Sequence, residues 1–306
     1  MSSDLQTSAN WEASTLCTLY KQLLVGAKPL PDKITLTGQT AVITGANAGL
    51  GFEAGRQLLQ LGLSNLVIAV RSGPKGEAAA SKLREEFPLS TITVSIVDLT
   101  DYDSITNFCR ECEKLEPLDY VILNAGLMAS EFSRVERTGH ELVFQTNYLS
   151  TVFMVLLLVP ILISKGRQFK SHHPPVLSIV GSDTMYLSTF TSSTSIFDSM
   201  DNPPSYEELP QYATTKLLLM MFISRLAKEV NSEDLVINVC NPGLTNGTAL
   251  AHNDQDRGLW NRVVTSMFLR GLGRHIHVGA SIYIYALLGV GRESHGSFVS
   301  DWDIKP

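Results

Sequence analysis

Six short runs, most of them nearly continuous in valine, isoleucine and leucine, recur along the chain: TAVITG, NLVIAV, TITVSIV, DYVILNAG, PVLSIVG and LVINVCNPG. A strand with one wet face alternates apolar and polar residues, whereas a strand covered on both faces reads as a continuous apolar run. The stretches between the runs are long enough for crossover helices, which parallel strands require. The pattern therefore predicts an α/β fold with a doubly wound parallel sheet. No internal repeat and no linker divide residues 39–306, so they are expected to form one domain. Residues 1–38 read as an extension, in which WEASTLCTLYKQLL is an amphipathic helix through Trp11, Leu16, Leu19, Tyr20 and Leu23 before KPLPDK breaks it.

The first run is followed by TGANAGLG, residues 44–51, and then by the periodic apolar stretch FEAGRQLLQLG. Glycines at a strand-to-helix turn let backbone approach a pyrophosphate, and the helix N-terminus faces the phosphate charge. The context fits a Rossmann-type dinucleotide site. After the second run stand Val70 and Arg71, where an acidic residue would bind the ribose hydroxyls of NAD. An arginine instead pairs with a 2′-phosphate, which favours NADPH/NADP+.

A net charge of −6 gives no electrostatic footprint for nucleic acid or an anionic membrane. Cys109 and Cys112 form a C-x-x-C without the second pair that would complete a zinc site. They read as structural or surface thiols in a reducing, cytoplasmic setting. The N-terminus lacks a basic region followed by an apolar core, so no signal peptide is expected. YLSTVFMVLLLVPILI, residues 148–163, is short for a bilayer span and contains Pro160, so it reads as a core helix. His252, His275 and His277 include an H-x-H, too little for a metal site; no metal is expected.

Tyr212 and Lys216 in QYATTKLLL stand four positions apart, on one face of a helix. With TGANAGLG, VDLT, NAG, FQTN, SIVGS and NPG in the same order, the chain resembles the short-chain dehydrogenase/reductase family over roughly residues 39–303. The resemblance implies a catalytic set of Asn147, Ser182, Tyr212 and Lys216. It implies cofactor contacts at Gly45, Asn47, Gly49, Leu50, Gly51, Arg71, Asp98, Leu99, Asn124, Ala125, Gly126, Tyr212, Lys216, Pro242, Gly243 and Thr245. Tyr212 would be the general acid, with Lys216 lowering its pKa and binding the nicotinamide ribose. Ser182 would bind the substrate oxygen, and Asn147 would hold a relay water. Strand alternation points Ser178 and Ser182 to the same side and does not choose between them; the family pattern takes Ser182.

Ser182 and Tyr212 lie 30 positions apart, longer than in compact family members. This resembles the retinol-dehydrogenase-like and protochlorophyllide-reductase-like branches and fungal reductases of secondary metabolism. Two insertions, residues 183–211 and 244–277, carry Met185, Tyr186, Leu187, Phe190, Ile196, Phe197, Trp260, Met267 and Phe268. These are expected to wall a pocket for a sizeable, mostly apolar ketone or aldehyde. The alternative is a loop that packs on its own subunit or on the partner in a homodimer. The expected activity is NADPH-dependent carbonyl reduction in polyketide, terpenoid or alkaloid metabolism. The rivals are a family member that guides a cyclisation or dehydration, and a non-catalytic NADP sensor.

Overall fold

The computed structural model describes residues 11, 14–169, 173–191, 195–246 and 273–305. His252, Trp260, Met267 and Phe268 lie outside them. The predicted runs become β1 (Thr40–Thr44), β2 (Asn65–Val70), β3 (Thr91–Ile96), β4 (Tyr120–Leu123), β5 (Val176–Val180) and β6 (Val236–Asn241). β7 (Phe298–Ser300) and β8 (Asp303–Lys305) extend the sheet to eight strands in the order β3-β2-β1-β4-β5-β6-β7-β8. All neighbours are parallel except β7 and β8. β1, β4, β5 and β6 are buried at every position, whereas edge strand β3 alternates exposed and buried residues at its start.

Helices cover both faces. On one lie α2 (Gly49–Gln60) and α7 (Ile276–Leu288), whose Leu58, Leu59, Tyr283 and Leu287 share a core with Ile43, Ile68 and Trp302. On the other lie α4 (Tyr102–Glu113), α5 (Ser150–Phe169) and α6 (Glu208–Leu226). There Phe108, Met154, Leu158, Leu219 and Ile223 meet Val42, Val121, Leu177 and Val239. α3 (Gly73–Glu86) links β2 to β3. The strand order reverses between β1 and β4, and in such sheets the crevice for a ligand opens at the carboxyl ends beside that switch.

Three features differ from expectation. β7 and β8 are three residues each, below the length at which periodicity is readable, and their turn carries no glycine signal. Asp301 and Trp302 occupy it with φ of +54° each, a conformation that a Trp rarely adopts. The apolar run around residue 150 is longer than it reads: residues 142–169 form one continuous helical stretch, long and apolar enough to cross a membrane. Its inner face, with Met154, Val155, Leu158 and Leu162, is nevertheless buried on the sheet between β4 and β5. Third, α1 (Thr15–Leu24), capped by Ser14, does not stand apart: Cys17 is fully buried and Gln22 Nε2 donates to the Leu244 carbonyl at 2.6 Å.

Candidate active site

A cavity of about 410 Å³ opens at the carboxyl ends of β1–β4, within the usual range for small-molecule clefts. Of the expected cofactor contacts, Gly45, Asn47, Gly49, Leu50, Arg71, Asp98, Leu99, Asn124, Ala125 and Gly126 line it. α2 begins at its wall with Ala48 as N-cap, no side chain bonded to the first turn and no acid within it. Such an end suits a diphosphate, because its N–H groups and dipole face outward. Arg71 is exposed at the rim and makes no ion pair among the described residues. These residues fit a dinucleotide phosphorylated on its adenosine ribose.

The glycines divide their work differently from the expectation. Gly45 and Gly49 do have φ of +68° and +61°, which favours glycine. A Cβ on Gly51, however, would lie 2.6 Å from Asn124 Nδ2 and 2.9 Å from the Gly45 carbonyl. Gly51 is therefore needed for the turn to close on β4. Asn124 completes that closure by donating to the Thr44 carbonyl at 2.9 Å and accepting from the Tyr283 hydroxyl at 3.2 Å. Asp98 accepts from Thr100 N–H and Oγ1 at 2.9 and 2.7 Å, which orders the turn after β3.

The four catalytic candidates gather where β4, β5, α5 and α6 meet. Ser182 leaves β5 extended and lies beside the Tyr212 phenol, its hydroxyl accepting from Thr184 N–H and Oγ1 at 3.2 and 2.9 Å. Ser178 stays buried within β5, beside the Cys240 thiol. Asn147 sits in a π-turn, Gln145–Leu149, a local widening often found at functional sites. Its amide exchanges two hydrogen bonds with the Leu127 backbone, at 2.9 and 2.8 Å. Gly126 separates Asn147 from Lys216: a Cβ there would lie 3.1 Å from Asn147 Oδ1 and 3.8 Å from Lys216 Nζ. Lys216 Nζ donates to the Val180 carbonyl at 2.8 Å and stands 5.5 Å over the Tyr212 ring.

The charges differ from the sequence expectation. Burial raises the Tyr212 pKa above that of a free phenol, the bond to Ser182 opposes this, and Asp183 adds to it. Lys216 is no evident cause, because its ammonium faces the ring and the Val180 carbonyl rather than the hydroxyl. Burial instead lowers Lys216 itself, to about 8. The phenol thus keeps its proton at neutral pH.

Pro242, Gly243 and Thr245 follow β6 and do not line the cavity, but Thr245 reaches its edge. A Cβ on Gly279 would meet Thr245 Oγ1 at 2.5 Å and Leu50 Cδ2 at 3.0 Å, so all three pack together. Lining residues not foreseen include Thr100, Leu127, Met128 and Thr146. Each stands within a few positions of a motif residue, the only signal that could have found it.

The long segment after Ser182 corrects a second expectation. Met185 is in the core, and Tyr186 packs edge-on against Phe298. Phe190 and Ile196 close over Phe144, Met200 and Leu218 in a small separate core. Leu187 and Phe197 remain about half exposed. Gln211 anchors the far end by donating to Glu141 Oε2 at 2.7 Å. Aromatic side chains in this loop are spent on holding it down, because a wall needs its own packing before it can present a surface. Cys109 and Cys112 are buried free thiols of α4, and burial pushes Cys109 up to about 12. His277 pairs with Glu53 at 2.7 Å, and His275 caps α7.

The short chain dehydrogenase family model matches residues 39–169. Short chain dehydrogenase virL of Hypocrea virens is 46% identical over all of this chain and 88% of its own length. Short chain dehydrogenase opdN of Penicillium oxalicum is 37% identical over the full length of both. Among solved structures, levodione reductase superposes with a TM-score of 0.67 at 16% identity, over 87% of this chain and 96% of its own. A short chain dehydrogenase from Escherichia coli CFT073 complexed with NADPH gives 0.62 at 20% identity, over 89% and 99%.

Proposed function

The chain belongs to the short-chain dehydrogenase family, an oxidoreductase family, and on that premise we propose that it is an NADPH-dependent carbonyl reductase of fungal-type secondary metabolism. The observation that carries the reading is that Asn147 and Lys216 flank Gly126, which lines the cavity, while Lys216 stands over the Tyr212 ring with Ser182 beside the phenol, and Arg71 lies at the cavity's outer rim. The E. coli structure with bound NADPH supports the choice of cofactor.

NADPH, when bound, supplies the hydride that reduces the carbonyl carbon. Tyr212 holds a proton on its hydroxyl and donates it to the carbonyl oxygen as negative charge develops there. Ser182, beside that phenol, offers a second hydrogen bond to the same oxygen. Lys216 would return the proton that Tyr212 gives up, and its position beside Gly126 and Asn147 suits this role. Gly45, Asn47, Gly49 and Leu50 would hold the diphosphate; Asp98, Leu99, Asn124 and Ala125 would border the adenosine; Pro242, Gly243 and Thr245 would close over the nicotinamide. We take residues 39–306 as one catalytic domain to which α1 adds.

The test is NADPH oxidation by the purified protein against a panel of polyketide, terpenoid and alkaloid ketones. Turnover of a bulky apolar ketone is expected. Tight NADPH binding without oxidation of any member, together with conversion of a substrate at constant oxidation state, would move the cyclisation or dehydration reading ahead.

Arg71→Ala is expected to weaken NADPH about tenfold or more while leaving NADH nearly unchanged, since a charge-assisted contact contributes about 1.5–3 kcal/mol. Fluorescence titration with each cofactor checks this; equal losses refute the 2′-phosphate assignment.

For the substrate wall, Leu187→Ala is expected to raise KM for a bulky ketone with an unchanged NADPH dissociation constant. Phe190→Ala should instead cost roughly 1–3 kcal/mol of stability, because it opens the small core under the loop. Steady-state kinetics beside thermal melts separate the two.

A further inference from the structure

We propose that α1, which precedes the segment matched to the family, is a built part of the active site, and that Lys21 and Gln22 are positioning residues for it. The proposal rests on the cofactor role just assigned to residues 242–245.

Three contacts converge on the backbone after β6. Gln22 Nε2 donates to the Leu244 carbonyl at 2.6 Å. Arg274 N–H donates to the same carbonyl at 2.8 Å, and Asn246 N–H donates to the Arg274 carbonyl at 2.9 Å. The Arg274 guanidinium then ties α1 into this ladder through Nη2, bonded to the Lys21 carbonyl at 2.9 Å and to Asp301 Oδ1 at 2.6 Å. A Cβ on Gly243 would meet both Arg274 Nη1 at 2.9 Å and Gln22 Oε1 at 3.2 Å. Glycine at 243, with φ +69°, is thus fitted to α1 as well as to its own turn.

A charge network adds to these contacts. Asp301, 6% exposed, stands at the strained β7–β8 turn, with Arg274 on one oxygen and Lys21 Nζ 3.7 Å from the other. Ser300 donates to Asp301 at 2.9 Å and accepts from Asn241 at 3.1 Å, and Asn241 in turn accepts from Gly243 N–H at 3.1 Å. Asp183, the neighbour of Ser182, is partly buried; burial and Asp301 push its carboxyl up, and the Lys21 charge opposes this. The two acids therefore share the Lys21 charge, and Asp301 has Arg274 as well. Removing the Lys21 charge leaves both acids against one cation, and the strain falls on the turn that carries Ser182 and on the segment that starts at Gly243. A left-handed Trp302 persists only where its surroundings over-determine it, and this network is what surrounds it.

The experiment uses full-length Lys21→Met, Lys21→Arg and Gln22→Ala, with Lys28→Met as control, since Lys28 pairs with Asp303 in the same N-terminal stretch but is half exposed. Three quantities are read: amide hydrogen exchange of residues 243–246 without cofactor, the NADPH dissociation constant, and kcat. Gln22→Ala removes a hydrogen bond that holds the segment and Lys21→Met removes the charge beside Asp301, and both should speed exchange of 243–246 about fivefold or more. Both should lower kcat at least fivefold with a smaller change in NADPH affinity, because the adenosine end is untouched. Lys21→Arg should recover most of both effects, and Lys28→Met should resemble wild type. Wild-type exchange at 243–246 in both variants would overturn the proposal, and so would an Lys21→Arg protein no better than Lys21→Met. Faster exchange in a protein whose wild type does not bind NADPH would leave α1 as the latch and sink the cofactor reading instead.

Discussion

Tyr212→Phe is expected to lower kcat for ketone reduction by about 10²- to 10⁴-fold, the usual contribution of a positioned general acid. The substitution deletes one hydroxyl and almost no volume. The ring keeps its place over the sheet, so the NADPH dissociation constant should stay within about threefold and the melting temperature within a few degrees, since one neutral hydrogen bond is worth about 1 kcal/mol. The direction of the reaction makes the prediction sharper. Burial and Asp183 hold the phenol protonated, the form that donates in reduction. Oxidation of the matching alcohol needs the phenolate and should therefore accelerate as pH rises, while reduction at neutral pH should not. Near-normal turnover of a true substrate by Tyr212→Phe would eliminate the reductase mechanism.

The second large effect is a trade of stability for function at Lys216. Burial lowers this ammonium from 10.5 to about 8. Below pH 8 the folded protein therefore carries a charge it disfavours, a penalty of roughly 3 kcal/mol at about 1.4 kcal/mol per unit. Between about pH 8 and 10.5 the unfolded chain binds more protons at this residue than the folded one. Stability contributed by Lys216 accordingly rises with pH through that window. Lys216→Met relieves the penalty at neutral pH but abandons the Val180 carbonyl, a loss of about 1–2 kcal/mol. The variant should be about 1–2 kcal/mol more stable at pH 7, melting roughly 2–4 °C higher, with activity reduced at least about a hundredfold. Its advantage over wild type should shrink between pH 8 and 10. Comparing the two proteins across pH by calorimetry cancels the buried cysteines and tyrosines, which titrate in both. A less stable Lys216→Met protein at pH 7 would show that this lysine is not held at a cost.

Such a cost explains why an apolar core would keep a lysine at all. Among the described residues, Lys216 packs beside Gly126 and Asn147 and donates to a strand-end carbonyl. That is a poor arrangement for stability alone and a suitable one for a group that must exchange a proton. Ser178 makes the opposite point. It sits in the same strand as the approach to Ser182 but remains buried beside Cys240, without access to the cavity.

The six long strands, the glycine turn and the placing of Tyr212 and Lys216 on one helix face were legible in the amino-acid sequence alone. Each rests on local physics: burial on both faces leaves no polar alternation, a positive φ favours glycine, and four helical positions bring Tyr212 over Lys216. Only the tertiary structure decided the rest. That Gly51 makes room for Asn124, that Phe190 packs on Phe144 and Leu218, and that Lys21 reaches Asp301 are contacts between residues 28 to 280 positions apart. The protonation of Tyr212 and Lys216 follows from desolvation, which depends on everything that surrounds a group and on nothing beside it in the chain. Patterning fixes which residues turn inward; what each inward residue then meets is set by the packing of distant elements, and there the charges, the loop and α1 acquire their roles.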